Sequence, residues 1–370
     1  MLMKDQNLMK TRFYFITHFY GKPISGGERY NFRLIRSILN NKIPITIYTD
    51  DSIPKFFQRG YIRYNIWYLF RINRFQSGTL IIDHYMHPKL FLFAFFIKIF
   101  TKVKILGIVH HLYWTIQTNP LSSWIDKKLE SFFLSRLDWI VVPGEFTHNS
   151  INDLIKKTVR MNIIYPPVNI KSPEMHHEKR NYIKGGKINL LYVGGIYKRK
   201  GLTYLIEAFK NTTYQNIVLY LVGDQKAEPE YFEKIKFLIH QKGLQKRVLF
   251  RGCVSNNELI KIYQGADIFI LPSLHEGYGL VIMEAMQFGL PVITTNISHL
   301  PYLVKPDING LLVPPADVIQ LSEAIDRLAY SPSLRKRMGL NNIKASQNVN
   351  TEKNVELQLF NVLRQIEKLH

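Results

Sequence analysis

The chain has 370 residues and a mass of 43.5 kDa, more than one hydrophobic core ordinarily supports, so two domains of ordinary size are expected. Hydrophobic residues at 46% and charged residues at 21% exclude a disordered or fibrous chain. The net charge of +21 is uneven: residues 1–185 hold 27 Lys+Arg against 12 Asp+Glu, or +15, and residues 186–370 hold 22 against 16, or +6. Such asymmetry points to an anionic partner of the first half, be it nucleic acid, an anionic membrane surface or a phosphorylated substrate, although a coding bias towards Lys, Asn and Ile gives the same excess.

In chain order, the first half offers "RFYFITHFY", "PITIYTD", "GTLIIDHYM", "KILGIVHH", "DWIVVPGE" and "NIIYPPV" as strands, with helical patterns between them. "LFLFAFFIKIF", Leu90 to Phe100, carries Lys98 and falls short of the roughly 20 apolar residues that span a bilayer. "MLMKDQNLMKTRFYFITHFY" lacks a continuous apolar core and a small-residue cleavage site, so no secretory signal is expected. Cys253 is the only cysteine, which excludes an intrachain disulfide and suits a reducing cytoplasm.

"YPPVNIKSPEMHHEKRNYIKGGK", Tyr165 to Lys187, mixes prolines, charges and glycines without periodicity and reads as the linker. Beyond it, "INLLYVGG", "IVLYLVGD", "RVLFRGCV", "IFILPS", "PVITTN" and "GLLVPP" are strands. "LTYLIEAFK", "PEYFEKIKFLIHQKG", "NELIKIYQGA" and "GLVIMEAMQFG" between them carry helical spacing, and "NTEKNVELQLFNVLRQIEKL" closes the chain as an amphipathic helix. Apolar strands alternating with helices mean βαβ units and a parallel sheet covered on both faces. The expectation is an α/β chain of two doubly wound domains. Residues 1–170 form the first, 171–187 the linker, 188–349 the second, and 350–370 a helix that packs back toward the first.

Ligands of such sheets sit beyond the carboxyl ends of the strands, where glycines admit a close backbone approach and helix N-termini supply positive potential. That selects Ser25 to Arg29, His110 and His111, Gly194 to Gly201, Gly223 and Asp224, and the stretch "SLHEGYGLVIMEAMQFGLPV". Glu276 falls in a strand-to-helix turn flanked by Gly277 and Gly279, whose first-turn amides have no intrahelical partner. Glu284 lies on an apolar stripe between Leu280 and Phe288, where a carboxylate is costly unless something donates hydrogen bonds to it. Two such carboxylates could accept from vicinal hydroxyls of a ribose and a sugar. The plainer alternative is that Glu276 caps a helix and Glu284 meets a lysine or arginine elsewhere.

The pattern Glu-Gly-aromatic-Gly with a second Glu eight positions after the first, followed by "AMQFGLPVI", resembles the signature of retaining glycosyltransferase family 4, of GT-B fold. "VGGIYKRKG", "LVGD", "LFRGCV", "IIYPPVNI" and "PISGGERY" resemble further family segments in the expected order, specifically in the second half and loosely in the first. The resemblance implies two Rossmann-like domains facing each other across a cleft, and a retaining, metal-independent hexosyl transfer from a nucleotide-diphosphate sugar such as a UDP- or GDP-sugar. It implies Glu284 at the nucleotide ribose, Glu276 at the donor-sugar hydroxyls, and the backbone of Gly277, Tyr278, Gly279 and Leu280 at the diphosphate and sugar. Lys200 is implied at the departing diphosphate beside Arg199, Gly26 and Gly27 in the loop reaching the donor, and His110, in preference to His111, near the donor sugar. Gly195, Gly223 and Asp224 complete the donor loops, with base contacts near Arg251 to Val254 and His84 and His87 toward the acceptor. One departure is that Gly195 stands where the family commonly has an arginine, so that diphosphate contact is missing or comes from Lys198 or Arg199.

No Asp-x-Asp triplet occurs, so a metal-bound diphosphate is not expected, nor any cofactor. The acceptor is expected to be a glycan or lipid-linked glycan, met peripherally on the inner face of the membrane. Two stretches motivate this, "RYNIWYLFRINRF" and "PKLFLFAFFIKIFTKVK", in which basic residues interleave with aromatic and apolar ones. The same architecture also hosts sugar phosphorylases and epimerases. A nucleic-acid binder would explain the basic half, but no nucleic-acid motif accompanies the charge and the donor motifs would be idle.

Overall fold

The computed structural model describes residues 12–17, 26–49, 53–55, 61–84, 87–116, 119–155, 158–168, 170, 185–347 and 350–368. The chain divides into two compact units, one of Met1–Pro167 with Asn350–His370 and one of Val168–Val349. Most of the sequence read as linker, residues 171–184, lies outside the described residues.

The first unit is built on a parallel sheet of β1 (Phe13–Ile16), β2 (Ile45–Tyr48), β3 (Thr79–Asp83), β4 (Lys104–Ile108), β5 (Trp139–Val142) and β6 (Arg160–Ile163), in the order β2-β1-β3-β4-β5-β6. Successive side chains of a strand point to opposite faces, and here both faces are covered. Phe13 and Phe15 enter one core with Leu34, Ile35 and Ile38 of helix α1 (Gly26–Asn40). Tyr14 and Ile16 enter the other, beneath α2 (Tyr61–Leu69), α3 (His87–Phe100) and α4 (Pro120–Leu134); α5 (Glu145–Leu154) follows β5. The two aromatic, basic stretches expected at a membrane each turn one side into this core and leave Ile66, Phe70, Ile99 and Phe100 exposed. Trp67, Tyr68, Phe75, Leu90, Phe93, Ala94 and Ile97 are buried, because these helices must close one face of the sheet.

The second sheet comprises β7 (Ile188–Val193), β8 (Ile217–Val222), β9 (Val248–Gly252), β10 (Ile268–Leu271), β11 (Val292–Thr295) and β12 (Gly310–Val313), ordered β12-β11-β10-β7-β8-β9 and wholly parallel. Helices α6 (Leu202–Asn211), α7 (Pro229–Gln241), α8 (Asn256–Gly265), α9 (Leu280–Gln287), α10 (Leu300–Leu303), α11 (Val318–Tyr330) and α12 (Pro332–Ser346) surround it. The final helix, α13 (Glu352–Glu367), belongs to the first unit. Its Val355, Leu359, Val362, Leu363 and Ile366 recur at helical spacing and are buried in the core shared with α1. Asn41 Nδ2 donates to Glu356 at 2.6 Å and Asn350 Nδ2 to the Tyr165 carbonyl at 2.9 Å. Burying each such side chain is worth roughly 1.5–3 kcal/mol, so this segment is integral to the unit.

In the second sheet, strand order reverses between β7 and β10, since β7 pairs with β8 on one side and β10 on the other. A doubly wound sheet opens a ligand crevice at the carboxyl ends of the two strands that flank such a reversal. The loops there are in backbone contact. Gly201 has φ +70°, and a Cβ on it would lie 2.0 Å from the Pro272 carbonyl oxygen; Gly223 has φ +140°, and a Cβ would lie 2.0 Å from the Gly194 carbonyl oxygen. Only glycine satisfies both the left-handed φ and the close approach.

Candidate active site

Beyond β7 the chain runs through Gly194 to Tyr197 and a short turn, Lys198–Lys200, before Gly201 opens α6. Beyond β10 it runs from Pro272 to Gly279 before α9. The two loops are tied together, the Arg199 carbonyl accepting from the amides of Leu274 at 2.7 Å and His275 at 3.3 Å. This apposition places Lys200 against Glu276, 76 residues apart, and their side chains form a buried ion pair. Ser273 Oγ also donates to Glu276 Oε2 at 3.3 Å.

Burial pulls the Lys200 amine below its ordinary value, opposed by the Glu276 carboxylate that holds the proton on it. Burial alone would raise the Glu276 carboxyl, but the positive charges of Lys200 and then Arg199 hold it below the ordinary range. The pair is thus desolvated, at the carboxyl edge where β7 and β10 meet. Just past them, Gly279 caps α9 in the left-handed conformation with no side-chain cap, which leaves first-turn amides for a ligand. Tyr278, in the same turn, stacks on His299 at 4.6 Å, and His299 stacks on Tyr302 at 5.1 Å.

Glu284 lies in the second turn of α9 and is buried, and Tyr263 Oη donates to Glu284 Oε2 at 3.0 Å. Burial and this carboxylate push the Tyr263 phenol well above its usual value, so it stays a donor. At Gly195, a Cβ would fall 2.4 Å from Cε2 of Tyr197, whose ring occupies the space a side chain there would need. Lys198 and Arg199 are both exposed; the Arg199 guanidinium lies 5.3 Å above that same ring and donates to the His275 carbonyl at 3.4 Å, and the Lys198 amide is held by Glu228. Arg199 thus touches the Glu276 loop beside Lys200.

Asp224 joins the group through its carbonyl, which accepts from the Ile196 amide at 2.9 Å, and the Gly223 amide donates to the Gly252 carbonyl at 2.8 Å. Arg251 lies in β9, at the sheet edge, and Val254 follows it. Arg251 is exposed, its guanidinium 5.2 Å over the Tyr220 ring, while Val254 packs against the core.

In the first unit, Gly26 and Gly27 open α1 and His110 follows β4. His110 is buried, with Nε2 2.9 Å from Asn31 Oδ1 on α1 and its ring edge-on to Tyr30 at 5.5 Å. His111, beside it, is half-buried. Burial, with a smaller contribution from His84, lowers the His110 imidazole to about 3. It is neutral at physiological pH and serves as a hydrogen-bonding group rather than a cation. His84 sits 2.8 Å from Glu130, a fully buried carboxylate that also accepts from the amides of Tyr113 at 2.8 Å and Trp114 at 3.2 Å. At the reversal of this sheet, Thr17 Oγ1 donates to Asp83 Oδ2 at 3.0 Å across β1 and β3. His87 begins α3, and Ser25 lies outside the described residues. Among the described residues no group of three or more His, Cys, Asp or Glu side chains is placed to hold a metal ion, and no helix is long and apolar enough to cross a membrane.

Asn31, Glu130, Tyr263 and His299 carry these arrangements without any motif in the sequence marking them. The one available signal was the demand of Glu284 for a donor, which does not say where the donor comes from.

The neutral His110 has a measurable consequence. Its folded value lies below the ordinary 6.5, so the unfolded chain binds the proton more readily, and stability present above about pH 6.5 is lost as pH falls toward 3. The slope is about 1.4 kcal/mol per pH unit, or about 2 kcal/mol between pH 7.5 and 5. Urea unfolding of wild type and His110→Gln at both pH values is expected to show that much less acid loss in the variant. Equal losses in the two would show that His110 does not take up a proton on unfolding.

The two parallel six-stranded sheets with flanking helices are a GT-B fold of two Rossmann-like domains. Sucrose-phosphate synthase from Thermosynechococcus elongatus superposes with a TM-score of 0.79 at 19% identity, covering 98% of this chain and 100% of that one. Anabaena HepE, solved with UDP and glucose, superposes with a TM-score of 0.72 at 16% identity, covering 96% and 100%. The family model "Glycosyl transferases group 1" matches residues 175–345, so the second unit is a glycosyl transferases group 1 domain. In sequence, alpha-D-kanosaminyltransferase of Streptomyces kanamyceticus is 31% identical over 154 residues, 41% of this chain and 39% of that protein. Matches of this kind span 36% to 64% of the curated relatives' own length.

Proposed function

We propose that the protein is a retaining glycosyltransferase that moves a sugar from a nucleoside-diphosphate sugar to an acceptor hydroxyl. The observation that carries this reading is the buried Lys200–Glu276 ion pair, held where β7 and β10 diverge and beside the uncapped start of α9. A buried cation beside open amides suits a diphosphate, and a carboxylate beside it suits sugar hydroxyls. Relatives named as transferases, and a structural neighbour solved with UDP and glucose, are consistent with it.

In the proposed reaction the bond from the anomeric carbon to the donor's phosphate oxygen breaks, and a bond from that carbon to the acceptor oxygen forms on the same face. The acceptor proton passes to the departing phosphate oxygen. Negative charge grows on the diphosphate as this happens, and Lys200, Arg199 and the amides at the start of α9 are the groups that would stabilise it. The diphosphate gives Lys200 a second anion, which frees part of Glu276 for the hydroxyls of the transferred sugar. With that charge met by side chains and amides, the transfer needs neither metal nor cofactor. Glu284 accepts from the ribose. The acceptor is the hydroxyl of a glycan or a lipid-linked glycan, met at a membrane surface.

Incubation with a panel of radiolabelled nucleotide sugars, with no acceptor added, tests the reading. Slow hydrolysis of one donor, with release of the nucleoside diphosphate, is the expected result. A protein that binds nucleotide and hydrolyses none of the panel would be a binder rather than a transferase.

A further inference from the structure

Helix α4 buries one face and displays another that is unusually apolar. Inward it sends Glu130, Phe133 and Leu134. Outward, Leu121, Trp124, Ile125 and Phe132 follow one another at helical spacing, and Leu121 and Trp124 are 67% and 60% exposed. A helix packed on a sheet ordinarily presents polar side chains to water.

The strip continues onto α3. The Phe132 ring lies 5.9 Å from Phe95, Phe95 lies 5.3 Å from Phe96, and Phe96 stacks on Phe100 at 6.0 Å, with Phe100 69% exposed. Cations are set into it. The Arg136 guanidinium covers the Phe132 ring at 3.7 Å, Lys128 Nζ lies 6.0 Å over Trp124, and Lys127 Nζ lies 4.5 Å over Trp114. Of the nearby carboxylates, Asp138 is bound by Lys98, Glu130 is fully buried and Asp126 is half-buried.

We infer that the outer face of α4 and the end of α3 is a docking surface for an anionic lipid bilayer. Aromatic and aliphatic groups enter the acyl boundary while Lys127, Lys128 and Arg136 reach the headgroups. Three features fit that occupant. The stripe is shallow and long, it mixes rings with long cationic side chains able to extend from an apolar surface, and its charge is of one sign. It lies on the half of the chain that carries +15. The inference deepens the proposed function by naming the surface on which a lipid-borne acceptor is met, and it can be tested without any sugar donor.

The experiment is sedimentation of the full chain with vesicles of pure phosphatidylcholine and with vesicles containing 30% phosphatidylglycerol, at low and at high salt. Wild type is expected to partition into the anionic vesicles and to be released by salt. Each basic residue near such a surface contributes about fivefold in partitioning, so Lys127→Ser with Lys128→Ser is expected to lose at least about tenfold. Trp124→Ala with Phe100→Ala is expected to lose at least as much, while Phe237→Ala, which removes an exposed ring of the second unit, changes nothing. The substituted side chains are exposed, and circular dichroism verifies that each variant is folded. Equal partitioning into both vesicle types, binding to neither, or full binding by the Trp124 and Phe100 variant would overturn the inference. So would a loss confined to the lysine variant and matched by its loss of affinity for plain RNA, because the face would then be an electrostatic surface for nucleic acid. Vesicle binding without donor hydrolysis would leave this surface standing and remove the transferase reading; hydrolysis without vesicle binding would do the reverse.

Discussion

Lys200→Ala is expected to lower turnover by at least about tenfold, since a loss of about 1.4 kcal/mol in transition-state stabilisation already gives that factor. Preorganised donors aimed at developing charge often supply two to three orders of magnitude in rate, and Lys200 is buried where such charge would grow. The ion pair complicates the experiment in a useful way. Removing Lys200 leaves Glu276 buried without its cation, and breaking a buried pair costs roughly 3–5 kcal/mol of stability. Turnover must therefore be measured well below the variant's unfolding temperature. The double variant Lys200→Met with Glu276→Gln, which removes both charges, is expected to regain stability and not activity. Recovery of activity in the double variant would make the pair structural. Wild-type activity is expected to be indifferent to EDTA, and a strict requirement for magnesium or manganese would contradict the proposed mechanism.

The strands were largely legible because a parallel strand buried on both faces is an uninterrupted apolar run, as in "IFILPS" and "PVITTN". The exception is instructive. "NIIYPPV" places the sixth strand late, whereas β6 runs from Arg160 to Ile163, with Arg160 opposite Trp139. An edge strand has only one neighbour and need not be apolar, so its sequence announces it weakly. Residue types in the site were legible for a different reason. A glutamate among apolar residues must be satisfied, and Glu276 and Glu284 are. What could not be read was by whom. Lys200 reaches Glu276 because β10 lies beside β7, and Tyr263 reaches Glu284 because α8 and α9 flank β10. Strand order decides both. The apolar stripe of α4 was missed likewise, because helical spacing reveals a periodic face without saying which side the sheet will cover.

Glu284→Ala is expected to weaken binding of the nucleoside diphosphate by about tenfold to a hundredfold, corresponding to the roughly 1.5–3 kcal/mol of a hydrogen bond to a charged group. The geometry supplies a control. Tyr263 Oη already donates to one carboxylate oxygen and fixes its orientation from within the core, where the Tyr263 ring stacks on Phe288 at 5.0 Å. Tyr263→Phe removes the anchor and leaves the carboxylate, so it is expected to weaken binding less than Glu284→Ala does. Both variants disturb the same buried contact, so a loss seen only in Glu284→Ala cannot be ascribed to repacking. The discriminating ligand is a nucleoside diphosphate that lacks ribose hydroxyls. If Glu284 accepts from them, wild type prefers the ribonucleotide and Glu284→Ala binds the two alike, whereas Glu276→Ala retains the preference and loses sugar transfer. Titration calorimetry with both ligands on the three variants reads this directly. An undiminished preference in Glu284→Ala would place the ribose elsewhere and return Glu284 to the role of a core carboxylate satisfied by tyrosine.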